Sequence, residues 1–249
     1  MNASFDSSEY LQNAFAAEGI ALSAEQNAAF LLYADLLEKK NAVMNLTAIT
    51  DFKDVVHKHF LDSCAPARLP WFPPKGEGTS LIDVGSGAGF PGIPLKILYP
   101  GLKVTLLDSL QKRVNFLNEV IEALGLGGIE AVHARAEDGA RQAGLRENFD
   151  IAVSRAVAGL PVLSEYCLPY VRVGGSFLAY KGSGAEEETE AAKGAVKRLG
   201  GEIAGFTVFE LPGADGETLG RSLIRIAKTA PTPKKYPRKA GTAARSPLT

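Results

Sequence analysis

Apolar positions change their spacing once along the chain, near residue 79. Before that point they recur at helical intervals. Leu11 and Phe15 form one set, and Phe30, Leu31, Tyr33, Ala34 and Leu37 another. Ser23, followed by Glu25 and Gln26, marks a helix start that falls short of a strict capping box. Asn41 to Thr50 reads as a break, and a third helix is expected from about Asp51 through Phe60 and Leu61. Pro66, Pro70, Pro73, Pro74, Gly76 and Gly78 then read as a linker.

Beyond residue 79, short apolar runs alternate with helical stretches. The runs are Leu81–Val84, Val104–Leu107, Glu130–Val132, Ile151–Val153, Ser176–Tyr180, Ala204–Phe209 and Ser222–Ile226. The helical stretches are Pro94–Leu98, Lys112–Leu124, Leu160–Leu168 and Ala185–Leu199. Such alternation predicts a parallel sheet covered on both faces. The last two runs have no helix between them, and LPGADGETLG reads as a hairpin loop. The expected fold is therefore an α/β, Rossmann-like class I methyltransferase domain. Its seven-stranded, mainly parallel sheet ends in an antiparallel hairpin, and a helical segment precedes it. The expected divisions are residues 1–78 (helices and linker), 79–228 (sheet domain) and 229–249 (basic tail).

Composition changes this picture little. Apolar residues make up 46% and the formal net charge is −1, so no global charge argues for nucleic acid. The charge is uneven, however. After Glu217 no acid follows, while Arg221, Arg225, Lys228, Lys234, Lys235, Arg238, Lys239 and Arg245 do. Such a tail suits an anionic partner; the plainer reading is a solvated, disordered end. Cys64 and Cys167 stand far apart and make neither a disulfide scaffold nor a zinc pattern. No leader and no long apolar span are visible, which makes the cytoplasm the expected compartment. Nothing demands more than a monomer.

The candidate chemistry gathers at Leu81–Gly92. A strand runs into Gly85, Gly87 and Gly89, and a helix follows, so the backbone can turn tightly and approach a ligand. Gly87-x-Gly89-x-x-Gly92 also matches a dinucleotide fingerprint, but the strand ends at Val84 and Gly85 turns first. Asp83 at the strand tip would repel a pyrophosphate. It suits the ammonium of S-adenosylmethionine instead, or else merely orders the loop. Asp108, at the end of the second strand, is placed to accept from ribose hydroxyls, or to cap the next helix. An acid beyond the third strand, Glu137 or Asp138, can accept from an adenine amino group, or merely reflects the preference of a helix N-terminus for acids. Arg155, after the fourth strand, would sit at the mouth of the site, facing a donor carboxylate or a substrate phosphate. His57 and His59 lie two apart and face different directions, so they form no metal pair. His59 reads as a buried structural residue or, second, as part of the substrate mouth. Tyr236 could stack on a base, though a lone tail aromatic is usually inert.

These residues together resemble the bacterial small-subunit ribosomal RNA methyltransferase G family, also called glucose-inhibited division protein B. The resemblance rests on Asn45-Leu-Thr47, His59-Phe-Leu-Asp-Ser63, DVGSGAGFPGIPL, Leu107-Asp-Ser-Leu-Gln-Lys-Arg113, Ser154-Arg-Ala156, Tyr180-Lys-Gly182 and Lys235-Tyr-Pro-Arg-Lys-Ala-Gly241. It implies S-adenosylmethionine as methyl donor, with contacts at Gly85, Phe90, Ala136, Glu137 and Arg155. It implies 16S ribosomal RNA or the small ribosomal subunit as partner, and methylation of one guanine N7, in the 530 loop. Guanine N7 carries a lone pair and no proton, so no catalytic base is required. Arg155 is then a positioning residue, and catalysis comes from alignment. Candidates for RNA phosphate contacts are Lys112, Arg113, Lys181, Arg221, Lys234, Lys235, Arg238 and Lys239. The alternatives are a methyltransferase of another RNA, a protein or a small molecule; a non-catalytic ribosome assembly factor; and a nicotinamide-dependent oxidoreductase, which lacks a convincing hydride-transfer motif here.

Overall fold

A computed structural model describes residues 5–72 and 78–249. Pro73, Pro74 and Gly76 of the expected linker lie outside the described residues. The sheet comprises β1 (Ser80–Val84), β2 (Lys103–Asp108), β3 (Ile129–His133), β4 (Phe149–Arg155), β5 (Val171–Gly182), β6 (Gly201–Pro212) and β7 (Thr218–Lys228). Their order is β3-β2-β1-β4-β5-β7-β6. β1 to β5 pair in parallel, and β7 runs antiparallel to both β5 and β6. The order reverses beside β1, so the carboxyl ends of β1 and β4 diverge and leave a crevice. The seven-stranded parallel sheet with its terminal hairpin is as expected.

The amino-terminal helices share a core with one face of the sheet. Phe15 of α1 (Ser7–Ala17) packs on Phe30 of α2 (Ala24–Met44), with ring centroids 5.0 Å apart. Both belong to a buried cluster with Leu81, Ile93 and Leu106. Helix α2 also braces the glycine loop directly. Tyr33 Oη donates to the Ala88 carbonyl at 2.5 Å, and Gln26 Nε2 donates to the carbonyls of Ile97 and Leu98. The start of α2 corrects the sequence reading, for it is a complete capping box. Gln26 N–H donates to Ser23 Oγ, and Gln26 Oε1 accepts from the Ser23 N–H. The expected third helix is a continuous run of changing pitch: Phe52–Asp54, a π-helical Val55–Leu61, Asp62–Cys64 and a 3₁₀ turn Ala65–Arg68. Local π winding is often found beside functional sites.

Candidate donor and substrate site

Three elements build the site: the loop after β1, the ends of β2 and β4, and the π-helical turn. A cavity of about 670 Å³ opens there, within the usual range for a cofactor site. Gly85, Gly87, Phe90, Asp108, Ala136, Glu137 and Arg155 all line it. Gly85 has φ +79°, and a Cβ added there would meet Val157 Cγ2 at 2.7 Å; both backbone and space exclude a side chain. Asp108 is buried and bridges the loop to the next helix. Its Oδ2 accepts from Gly87 N–H at 2.9 Å and its Oδ1 from Leu110 N–H at 2.9 Å. Oδ2 also accepts from Arg113 Nη1 at 3.5 Å, while Oδ1 keeps a second lone pair with which Asp108 can accept from a ligand in the cavity it lines.

Two expected ligand contacts are not on the cavity wall. Asp83 is wholly buried, with Oδ2 accepting from the Gly92 N–H at 2.8 Å and Oδ1 without a partner. Burial pushes its carboxyl up to about 7, against the opposing pull of that hydrogen bond and the Arg155 guanidinium. Asp83 therefore fastens the loop to the helix beginning at Gly92, which removes it from contact with a ligand ammonium. Gly89 (φ +105°) packs against Ile93 and Tyr33 Oη, so close approach of α2 explains it.

Arg155 is the best-anchored cation of the site. Its Nη1 donates to Asp62 Oδ2 at 2.7 Å and to the Lys58 carbonyl at 3.0 Å, and its Nη2 lies 3.2 Å from His59 Nδ1. Arginine can only donate, so His59 Nδ1 accepts and Nε2 carries the proton toward Thr47 Oγ1 at 2.9 Å. Burial, reinforced by Arg155, lowers the His59 ring to about 3, so the imidazole is neutral. The ring stacks on Phe90 at 4.4 Å and 18°, with the Arg155 guanidinium 5.1 Å from the Phe90 centroid. His59 is thus both buried and part of the cavity wall, and Thr47 joins it there. The π-helical run that carries His59 and the αL break at Asn45 that carries Thr47 explain why spacing alone did not place them.

The carboxyl-terminal segment is packed on the domain. Tyr236 is 6% exposed, which takes it out of base stacking. Arg238 departs from its expected role on RNA phosphate. Its Nε and Nη2 donate to the wholly buried Glu165 at 3.0 and 2.6 Å, and its N–H donates to Glu165 Oε1. That carboxylate needs the charge more than an outside phosphate does. Gly241 N–H donates to Glu137 Oε1 at 2.8 Å, so Gly241 and Ala244 close one side of the cavity. Lys234, Lys235 and Lys239 stay exposed, as does Lys112. Arg113 lies on the cavity wall 3.5 Å from Asp108. Lys181 donates to the Ala158 carbonyl and Glu188, and Arg221 donates to Asp62.

The model of the family described as rRNA small subunit methyltransferase G matches residues 26–211. The chain belongs to that family. The ribosomal RNA small subunit methyltransferase G of Clostridium perfringens (strain 13 / Type A) is 48% identical over 230 residues, covering 92% of this chain and 94% of that one. The same enzyme of Acetivibrio thermocellus is 51% identical over 231 residues, covering 93% and 92%. A crystal structure described as a transferase of Pyrococcus horikoshii superposes with a TM-score of 0.52 at 15% identity, over 68% of this chain and 63% of that one, and shares the fold. As a member of the methyltransferase G family, the chain is an S-adenosylmethionine-dependent methyltransferase of ribosomal RNA, and the family's reaction is methylation of guanine N7 in 16S ribosomal RNA. No helix among the described residues is long and apolar enough to cross a membrane.

Proposed function

We propose that the cavity between β1, β2 and β4 holds S-adenosylmethionine and that this enzyme methylates one guanine N7 of 16S ribosomal RNA at its Arg155 end. The observation that carries this reading is the pairing of two carboxylates, Asp108 and Glu137, on one cavity whose loop side is side-chain-free at Gly85 and Gly87. That set suits an adenosyl group: Asp108 can accept from a ribose diol and Glu137 from an adenine amino group. When bound, the donor supplies an electrophilic methyl on its sulfonium.

The protein's own part is alignment. Phe90 and His59 form a stacked apolar wall, and neutral His59 adds no charge against the sulfonium. Arg155, held by Asp62 and the Lys58 carbonyl, fixes the end of the cavity where the base must arrive. Guanine N7 has no proton to lose, so no residue needs to act as a base; orientation can supply roughly 7–11 kcal/mol in favourable cases.

Transfer of tritiated methyl to RNA lacking the modification, followed by nucleoside analysis, tests the reaction: labelled 7-methylguanosine at one site is expected. Label in another nucleoside, or none, would remove it. For the donor site, Asp108→Asn should weaken donor binding about tenfold or more, the scale of a charged hydrogen bond, and leave RNA affinity unchanged. Calorimetry with each ligand separately reads both.

A further inference from the structure

The donor cavity does not end at Arg155. A second recess of about 350 Å³ lies beyond it, and His59, Arg155 and Ala156 form part of both walls. The recess opens at the carboxyl ends of β4 and β5, where Gly182 pairs with Arg221 of β7. Four cations line it, namely Lys58, Arg155, Lys181 and Arg221, with one carboxylate, Asp62.

The way these charges pair is uneven. Lys58 has Asp54 at 3.0 Å and Glu217 at 3.4 Å, and Lys181 has Glu188 at 2.8 Å. The two arginines instead share a single acid. Arg155 Nη1 lies 2.7 Å from Asp62 Oδ2, and Arg221 Nε lies 2.8 Å from Asp62 Oδ1. The side chains of Arg155, Arg221 and Asp62 are 13%, 24% and 8% exposed. The four cations meet four acids in all, Asp54, Glu217, Glu188 and Asp62, but the guanidinium pair itself has one carboxylate for two charges. That pair is receptive to an anion, which would stand beside Asp62 as its second counter-charge. Guanidinium forks match phosphate oxygens, and both forks here are pre-set by the same acid.

We propose that this recess seats the nucleotide to be methylated, with its backbone phosphodiester on the Arg155–Asp62–Arg221 group. Its base then crosses the shared wall at Ala156 into the donor cavity. Asp62 is a positioning residue that holds the two guanidiniums apart and in place. The inference rests on the reading of the larger cavity as the donor site. Arg221 lines the recess and not the donor cavity, so it separates the two readings.

In the Arg221→Gln variant, the KM for unmodified 16S ribosomal RNA should rise about tenfold while the Kd for S-adenosylmethionine stays at its wild-type value. The slope of log affinity for RNA against log salt should shrink by about 0.7, the share of one phosphate contact on single-stranded RNA. Arg221→Lys should restore the slope and only part of the KM, because it returns the charge without the fork. A purely structural role would move neither slope. In the unaltered enzyme, the same RNA should slow phenylglyoxal modification of Arg221, and S-adenosylmethionine alone should not. This arm decides the matter if Arg221→Gln fails to fold. Unchanged KM and slope, or modification at equal rates with and without RNA, would overturn the proposal. So would a loss of donor affinity in step with the loss of RNA affinity, which would assign the recess to the donor's carboxylate. Failure of the unaltered enzyme to bind the donor would sink the donor cavity first and the recess with it.

Discussion

The glycine loop and the carboxyl-terminal segment both lie against the donor cavity, yet side chains of the loop tie it to itself, whereas the segment is anchored to distant parts of the chain. The loop is tied within itself, Asp83 to Gly92 and Ser86 Oγ to the Asp83 carbonyl, and is then braced from outside by Asp108 on Gly87 and Tyr33 on Ala88. The terminal segment is held by partners 73 to 104 residues away, through Glu165 to Arg238, Arg146 to the Tyr236 carbonyl, and Glu137 to Gly241. A local constellation announces itself in the sequence. A basic segment announces its charge and conceals which of its cations face inward.

The largest effect should come from breaking the long-range side. Arg238→Ala leaves Glu165 buried without its counter-charge, and unfolding free energy should fall by about 3–5 kcal/mol. Denaturant unfolding measures this directly. Because Gly241 and Ala244 line the donor cavity, donor affinity should fall as well. A loss below about 1 kcal/mol would show that the segment is only loosely docked.

Much of the remaining contrast follows from what apolar spacing can report. All seven strands were legible as apolar runs, and the carboxyl ends of β1 and β2 with them, but the limits of β5 and β6 were not. β5 begins at Val171 rather than Ser176 because Arg172, Val173 and Gly174 are exposed within it. β6 extends past Ala204–Phe209 at both ends, because backbone pairing with β7 runs from Gly201–Lys228 to Pro212–Thr218 and its buried residues, Gly201 and Leu211, lie in those extensions. Gly85, Gly87, Asp108 and Arg155 were picked out from the glycine motif and strand ends, Phe90, Ala136 and Glu137 from the family resemblance, and all of them line the cavity. Asp83 was read first as a ligand contact and only second as ordering the loop, the role it has, because a strand tip gives a residue's position and not the direction of its carboxylate. Thr47 depends on the side chain of Asn41, which bonds both its N–H and its carbonyl and folds that loop onto the site.

The local side has its own weak point in Asp83. Its folded carboxyl sits near 7, above the ordinary unfolded value of about 3.9. Between those values the folded state holds a proton that the unfolded state has released. The group's contribution to stability is therefore complete below about pH 4 and is lost as pH rises to about 7. Asp83→Asn keeps the acceptor for Gly92 and cannot ionise. Relative to the variant, the wild type should lose stability toward neutral pH, by at most about 1.4 kcal/mol per pH unit in that window. Unfolding curves at pH 5 and pH 8 give the difference, and a variant that tracks the wild type at both would show that Asp83 is not the titrating group.

The smallest effect on stability falls on the cations of the terminal segment that point outward, and it sharpens the division within that segment. Lys234, Lys235 and Lys239 are exposed, in contrast to Arg238 beside them. Replacing all three with alanine gives up, among the described residues, only the contact of exposed Lys235 Nζ over the Tyr236 ring at 5.3 Å, so unfolding free energy should stay within about 0.5 kcal/mol of wild type. If these three ammonium groups touch RNA phosphates, the slope of log affinity against log salt should shrink by about 2, from roughly 0.7 for each contact. Donor affinity should not move, because the anchoring through Arg238 and Gly241 is untouched. An unchanged salt slope would confine the segment to closing the donor cavity, with its outward charge serving only solvation. A large stability loss would erase the division, since it would mean that the outward lysines hold the segment down as Arg238 does.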